Sequence, residues 1–280
     1  MTWVDHEDYP CSIREHHEHP ALGSTALRRL FTAEEPRKNT ANLGNAVGWL
    51  AITERAQWDA PSAVVVQRED FRGRPEALKQ WERDHPDVIG LTKAQMVEAR
   101  ELANALQAHP HIEALVGSLH VEHVKHEHTV IATHAQTGVV CKARPDFRVD
   151  GLRIDDIKIT RESDPSDFAR QVRQHWLHVQ AALYHDIDCT RHGLTRLRDG
   201  YTIIAVSRAT KRVAAFGLAN WLDEGRKVLD AALRLAAYRA EGDAHVPTMW
   251  ERPQQLPPPS RWDQELTKRI VRHVDRVIPR

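Results

Sequence analysis

Two aspartates and a lysine in the middle of the chain have the types and spacing that phosphodiester hydrolysis needs. Asp146 lies in an apolar, strand-like run, and Asp156 and Lys158 lie in the next one. The turn signal Asp150-Gly151 folds one run back on the other, which brings position 146 beside position 155 or 156. Paired carboxylates repel unless a cation lies between them, and hard oxygen ligands suit Mg²⁺ or Mn²⁺. We therefore expect a divalent cation at Asp146 and Asp156, with the carbonyl of Ile157 as a further ligand.

Lys158 follows Asp156 by two residues, so strand alternation places both side chains on one face. An ammonium group there can orient an attacking water or offset charge on the phosphate. Acid and lysine pairs on strands also occur as simple cross-strand salt bridges, and the spacing alone leaves that alternative open.

The surrounding pattern predicts the elements that must position these residues. Apolar alternation between turn signals predicts strands, and apolar residues at helical spacing predict helices. The strands are Thr129–Thr133, Val139–Val149, Leu152–Thr160, Tyr201–Arg208 and Val213–Leu218. The helices are Thr25–Phe31, Thr40–Thr53, one opened by a capping box at Thr92, Asp167–Ile187, and one from Asn220 to about Ala240. This order predicts an α/β (α+β) fold with a central mixed sheet flanked by helices and a helical N-terminal extension.

Composition divides the chain further. Residues 1–23 are polar and histidine-rich and are expected to form a flexible arm before a single domain over 24–280. Within that domain we expect a helical part (24–120), a catalytic α/β core (121–245) and a proline-rich tail with a basic C-terminal helix (246–280). Residues 54–90 are charged and hold three prolines, which favours irregular structure with short helical pieces.

Charge and cysteine content limit the function classes. The 39 basic and 39 acidic residues cancel, which by itself disfavours a general nucleic-acid binder, although local basic stretches can still hold phosphates. Three scattered cysteines fit neither an iron–sulfur cluster nor a disulfide framework. No apolar run approaches a membrane span and no signal peptide begins the chain, so we expect a cytoplasmic protein without a membrane partner. No phosphate-binding glycine loop is present, which argues against an ATP-driven nuclease.

At the central residues the sequence resembles a known family. The stretch Thr137–Asp146 followed by Asp156-Ile157-Lys158 looks like the PD-(D/E)XK nuclease superfamily, and more narrowly like the RecE-type exonucleases of phages, relatives of the lambda-type exonuclease. Further matching residues are His178-Val179-Gln180 with Tyr184, Leu43-Gly44 with Ala46-Val47, Ser24 with Leu27 and Leu30, and Glu127.

This resemblance implies a PD-(D/E)XK core and a Mg²⁺-dependent exonuclease, with Mn²⁺ able to substitute. Such enzymes resect double-stranded DNA ends in the 5′-to-3′ direction for recombination, act as ring-shaped homo-oligomers and supply a single-strand annealing protein. Carried over to this chain, Asp146 and Asp156 bind metal, Glu127 is an additional candidate ligand, Lys158 acts on the water or transition state, and Gln180 and Tyr184 position the water or the strand. The candidate DNA contacts are Arg144, Arg170, Arg173, His178, Arg208, Lys211 and Arg212.

One position departs from the family pattern. Where the family's N-terminal helix carries a histidine near the metals, this chain has Gly48, and Glu54 is a neighbour that could supply the missing group. Two alternative functions therefore stay open: a PD-(D/E)XK endonuclease of restriction or repair type, and a catalytically weakened protein that binds DNA ends.

Overall fold

The computed structural model describes residues 1–10, 13–31, 41–53, 64–69, 71, 74–85, 88–118, 124–161, 164–240, 268 and 270–275. The strands are β1 (Trp3–Pro10), β2 (Val64–Gln67), β3 (Val88–Leu91), β4 (Val124–His126), β5 (His128–His134), β6 (Val140–Ala143), β7 (Phe147–Val149), β8 (Arg153–Thr160), β9 (Gly200–Ser207) and β10 (Val213–Gly217). The helices are α1 (Ile13–Glu18), α2 (Ser24–Arg29), α3 (Ala41–Gly48), α4 (Pro75–Asp84), α5 (Lys93–Gln107), α6 (Pro110–Ser118), α7 (Pro165–Gln174), α8 (Leu177–Arg191) and α9 (Leu222–Ala240).

The main sheet has five strands in the order β10-β9-β8-β7-β4. The β8–β9 pair is parallel and the other pairs are antiparallel, so the sheet is mixed, as the sequence predicts. Alternation along β9 sends Ile203 into a core with α8 and α9, and Ile204 into a second core with α3, α5 and α6. The predicted mixed sheet between helical layers is therefore confirmed.

The N-terminal residues are not a loosely held arm. β1 pairs antiparallel with β5, and β5 pairs with β6, forming a second sheet of three strands. Trp3 anchors β1 because its indole is buried against the ring of His134. Leu22 then bridges to the β6 backbone through hydrogen bonds with Val140 and Lys142. The expectation of a flexible arm is wrong for these residues, because apolar anchors at Trp3 and Leu22 hold a segment that is otherwise polar.

Two predicted elements are divided in the structure. The strand expected over Val139–Val149 is interrupted at Arg144–Asp146, so that β6 belongs to one sheet and β7 to the other. Pro145 lies in this break, where its missing N–H removes no ladder bond. The helix expected over Asp167–Ile187 is split between α7 and α8 at Trp176, which adopts a left-handed backbone (φ 58°).

The other elements follow the sequence predictions in part. The capping box at Thr92 is present, with its hydroxyl accepting from Gln95 and its backbone N–H donating to the Gln95 side chain. The segment expected to be irregular contains the β2–β3 parallel pair and α4. α3 passes into a π-helical turn at Trp49–Thr53. In the predicted tail, residues 270–275 are helical, and 256–259 lie outside the described residues. Glu54, the candidate substitute for the missing histidine, also lies outside them.

Candidate active site

The site forms where the chain crosses between the two sheets. Glu127 separates β4 from β5, and Arg144–Asp146 separates β6 from β7. These two breaks face each other, because the Glu127 N–H donates to the Asp146 carbonyl at 3.1 Å. Glu127 adopts a left-handed backbone (φ 51°), which costs a non-glycine residue about 1–2 kcal/mol. Such local strain at a crossing of two sheets marks a candidate functional site.

Asp146 and Asp156 converge at this crossing, as the spacing predicts. Phe147 pairs with Asp155, so the preceding residue Asp146 lies beside Asp156. The Asp146 carboxylate accepts from the Ile157 N–H at 2.5 Å, and Asp156 contacts both the Lys158 ammonium and the Gln180 amide, the latter at 3.2 Å. Asp155 points to the opposite face of β8, where it contacts His111 at 2.8 Å.

The electrostatics of the pair indicate a place for a cation. Burial, followed by the charge of Asp156, raises the pKa of Asp146 from 3.8 to about 8. Burial alone would lower the pKa of Lys158, but Asp156 and Asp146 outweigh it and raise that pKa. One ammonium therefore faces two acids in a site largely removed from water, and an acid–acid repulsion of this kind is relieved by a divalent cation.

The Ile157 carbonyl is a candidate third ligand beside the two carboxylates. In an extended strand the N–H and C=O of one residue point to the same side. The Ile157 N–H donates to Asp146, so the Ile157 carbonyl points to the same side of β8. The pairing of β7 with β8 ends at Phe147 and Asp155, so no β7 residue pairs with Ile157. The donor set of two carboxylates and one carbonyl consists of hard oxygens and fits a divalent metal.

Glu127 and Arg144 form the adjoining wall of the site. Arg144 donates to the Glu127 carboxylate at 2.8 Å and to its backbone carbonyl at 3.0 Å. This ion pair already neutralises part of the charge of Glu127, so metal ligation by Glu127 would compete with Arg144. Tyr184 completes the wall from α8, and burial followed by the charge of Asp156 raises its pKa to about 12.

A cavity of about 590 Å³ opens over these groups and is called here the catalytic cavity. All five predicted catalytic residues line it, together with Glu127 and Arg144. The opposite wall comes from residues that the sequence analysis did not assign to the site. They are His16, His19, Ser24, Arg29, Asn45 and Lys142. Lys142 fastens this wall by donating to the backbone carbonyls of His16 and His19.

The remaining predicted DNA contacts lie in different surroundings. His178 is buried and its ring contacts the Val172 carbonyl at 3.3 Å, which contradicts a direct DNA contact. Arg173 lies over the Trp221 ring at 4.4 Å. Arg208 is paired with Glu98 at 2.5 and 2.8 Å, and Lys211 lies 3.3 Å from Glu101. Neither these two nor the exposed Arg212 lines the catalytic cavity, so their DNA contacts stay predictions.

Gly48 has no steric reason to be glycine in the described structure. A Cβ atom built there meets nothing within 4 Å. The structure therefore gives no packing explanation for the missing histidine.

A second group of potential metal ligands occurs among the described residues. Donor atoms of Asp150, Asp188 and His192 lie within 4.8 Å of one another. The Arg148 guanidinium already contacts Asp150 at 3.0 Å and Asp188 at 3.5 Å, and Arg191 lies 3.8 Å from Asp150. This group is therefore a charge-balanced ion-pair network.

The fold and the paired acids define the class: this is a PD-(D/E)XK-type nuclease domain. The chain belongs to the family described as "PDDEXK-like domain of unknown function (DUF3799)", which matches residues 62–232. A crystal structure described as "Putative exonuclease" from Eubacterium rectale is similar, with 17% identity and a TM-score of 0.42 over 82% of this chain and 96% of that one. No curated protein matches the chain.

No helix in the described ranges combines the length and apolarity needed to cross a bilayer.

Proposed function

We propose that this protein is a Mg²⁺-dependent exonuclease that hydrolyses phosphodiester bonds at the ends of double-stranded DNA. The observation that carries the proposal is the convergence of Asp146, Asp156 and Lys158 in one cavity with Gln180. Asp146, Asp156 and the Ile157 carbonyl would hold a divalent cation, which when bound would supply Lewis acidity to the phosphate and favour ionisation of the attacking water. Mn²⁺ offers the same hard-ligand chemistry and is expected to substitute.

The protein's own groups divide the remaining work. The Lys158 ammonium, held beside Asp156, offsets negative charge that develops on the phosphate. Gln180 donates to Asp156 and so fixes the orientation of that carboxylate. Tyr184 is protonated at neutral pH, as tyrosines ordinarily are, and burial raises its pKa further, so its hydroxyl can donate a hydrogen bond to water or a phosphate oxygen.

An anionic strand is supported as the substrate by the basic wall of the catalytic cavity. Arg29, Lys142 and Arg144 line it, and with Lys158 they favour phosphates at a site that otherwise holds acids. The finer parts of the proposal rest on the RecE-type resemblance. These parts are 5′-to-3′ polarity, end resection for phage-type recombination, a ring-shaped homo-oligomer, a single-strand annealing partner and action in the cytoplasm.

Digestion of labelled DNA tests this proposal. Linear duplex carrying a 5′ or a 3′ label is incubated with Mg²⁺, beside closed circular duplex. We expect label release from the 5′ end first and intact circles. Cleavage of the circles would favour a PD-(D/E)XK endonuclease instead, and early release of the 3′ label would contradict the polarity.

A catalytically weakened DNA-end-binding protein is the second candidate, and Gly48 is the observation that favours it. The space at this position would admit a side chain, yet the chain has none there, where the family resemblance expects a histidine. Tight binding of duplex ends without hydrolysis in Mg²⁺ or Mn²⁺ would support this candidate over the exonuclease.

A further inference from the structure

A second cavity adjoins the catalytic cavity at Lys158. It measures about 800 Å³ and is called here the α7 cavity, because the end of β8 and one side of α7 line it. Lys158 lines both cavities. The first turn of α8 also borders both, since Leu177 lines the α7 cavity and Gln180 lines the catalytic cavity. The two cavities therefore meet where the reacting phosphate would lie.

The lining of the α7 cavity is chemically suited to a nucleic-acid strand. Arg161 and Arg170 supply positive charge, and Gln171 and Gln174 supply amides that can both donate and accept. Asp167 is the acid in this lining, and it pairs with Arg170 at 2.9 Å. Arg170 is 77% exposed and Asp167 is 42% exposed in this pair, and exposed ion pairs are weak because water screens them. Arg170 can therefore exchange Asp167 for a phosphate at little cost.

We propose that the α7 cavity binds the unpaired part of the substrate strand that continues beyond the scissile phosphate. This inference rests on the proposed nuclease function and adds a subsite to it. A strand whose phosphate lies at Lys158 must continue in two directions, and the two cavities that share Lys158 supply both paths. The volume lies within the roughly 300–1,000 Å³ range of small-molecule sites, which suits a few unpaired nucleotides rather than a duplex.

The test measures single-strand binding over a range of salt concentrations. An Asp156→Asn background is used so that DNA is not cut, and a labelled single-stranded oligonucleotide is titrated by fluorescence anisotropy. The slope of the logarithm of the binding constant against the logarithm of the salt concentration falls by about 0.7 for each phosphate contact that is lost. Loss of two arginine–phosphate contacts should therefore make this slope shallower by about 1.4. We expect Arg161→Ala/Arg170→Ala to do this and to weaken binding roughly tenfold.

Two matched variants separate a strand subsite from a general charge effect. Lys227 on α9 pairs with Glu224 three residues earlier, as Arg170 pairs with Asp167, but it lines neither cavity. Lys227→Ala should leave binding and its salt dependence unchanged. Gln174→Ala, at an exposed position, should weaken binding without changing the salt dependence, because an amide neutralises no phosphate.

The outcomes distinguish this inference from the proposed function. If wild type cuts duplex DNA but the double-arginine variant binds with unchanged affinity and salt dependence, the α7 subsite is wrong and the nuclease stands. An equal loss in Lys227→Ala also overturns the subsite. If wild type neither cuts nor binds DNA, the proposed function itself fails. Thermal melting of each variant confirms that it is folded.

Discussion

Arg148 is expected to be one of the most important residues for stability, because it connects the N-terminal strand to the catalytic core. It is fully buried on β7, and its guanidinium lies 2.6 Å from Asp8 on β1, 3.0 Å from Asp150 and 3.5 Å from Asp188. Burial would raise the pKa of Asp8, but hydrogen bonds to His128 and Arg148 and the charges of Arg148 and Arg191 hold it well below its ordinary value. These three acids therefore share Arg148, and Arg191 is a second cation at 2.6 Å from Asp8.

We expect Arg148→Met to reduce the free energy of unfolding by about 3–5 kcal/mol, the range for removing one partner of a buried ion pair. Urea denaturation followed by circular dichroism measures the loss. Adding Asp8→Asn to Arg148→Met should recover part of it, because one of the three carboxylates that lost Arg148 is then removed and Arg191 is left for Asp150. Arg83→Met changes an exposed arginine on α4 and should alter stability by less than about 0.5 kcal/mol. A loss below about 1 kcal/mol for Arg148→Met would refute this reasoning.

Three further stability predictions follow from buried contacts. Gly225→Ala should destabilise by about 1–3 kcal/mol or more, since its Cβ would lie 2.1 Å from the His178 carbonyl oxygen; unchanged denaturant midpoints would contradict the close approach. Trp3→Ala should cost about 3–5 kcal/mol in the same assay, whereas a flexible arm would lose nothing. Burial lowers the pKa of His126 from 6.5 to about 4, so the unfolded chain binds more protons between these values. Stability should fall by up to about 3 kcal/mol as pH drops from 6.5 to 4, and His126→Phe should reduce that fall.

The convergence of the proposed catalytic residues was predictable because their arrangement is local. A two-residue turn and strand alternation are enough to place Asp146 beside Asp156 and to place Lys158 on the same face. Helical spacing likewise places Gln180 and Tyr184 on one side of α8, and both line the catalytic cavity.

The ordered N-terminal strand that precedes the opposite wall of the cavity was not predictable from local patterns. β1 pairs with a strand more than 100 residues away, and its polar composition hides the few apolar residues that anchor it. Trp3 is one aromatic residue in a largely polar segment. Its burial depends on a β5 partner that periodicity within β1 cannot reveal.

Two other differences have tertiary causes. The helical pattern runs through Trp176 without interruption, but the indole packs beside Phe31 at 5.7 Å while its backbone is left-handed. His178 matched a motif expected near DNA, yet its side chain is buried, with the Trp221 ring 6.3 Å from its own. In both cases packing between distant segments overrides the local signal.

The central claim is that Asp146, Asp156 and Lys158 form one metal-dependent catalytic site. The most direct measurement is the single-turnover rate of hydrolysis of linear duplex DNA in Mg²⁺ by wild type, Asp156→Asn and Lys158→Ala. Asp223→Asn, at a highly exposed acid on α9, serves as the matched control. We predict that both site variants lose at least about 10²–10³-fold in rate, that chelation of the metal abolishes the wild-type reaction, and that the control matches wild type. Full activity in either site variant would contradict the claim.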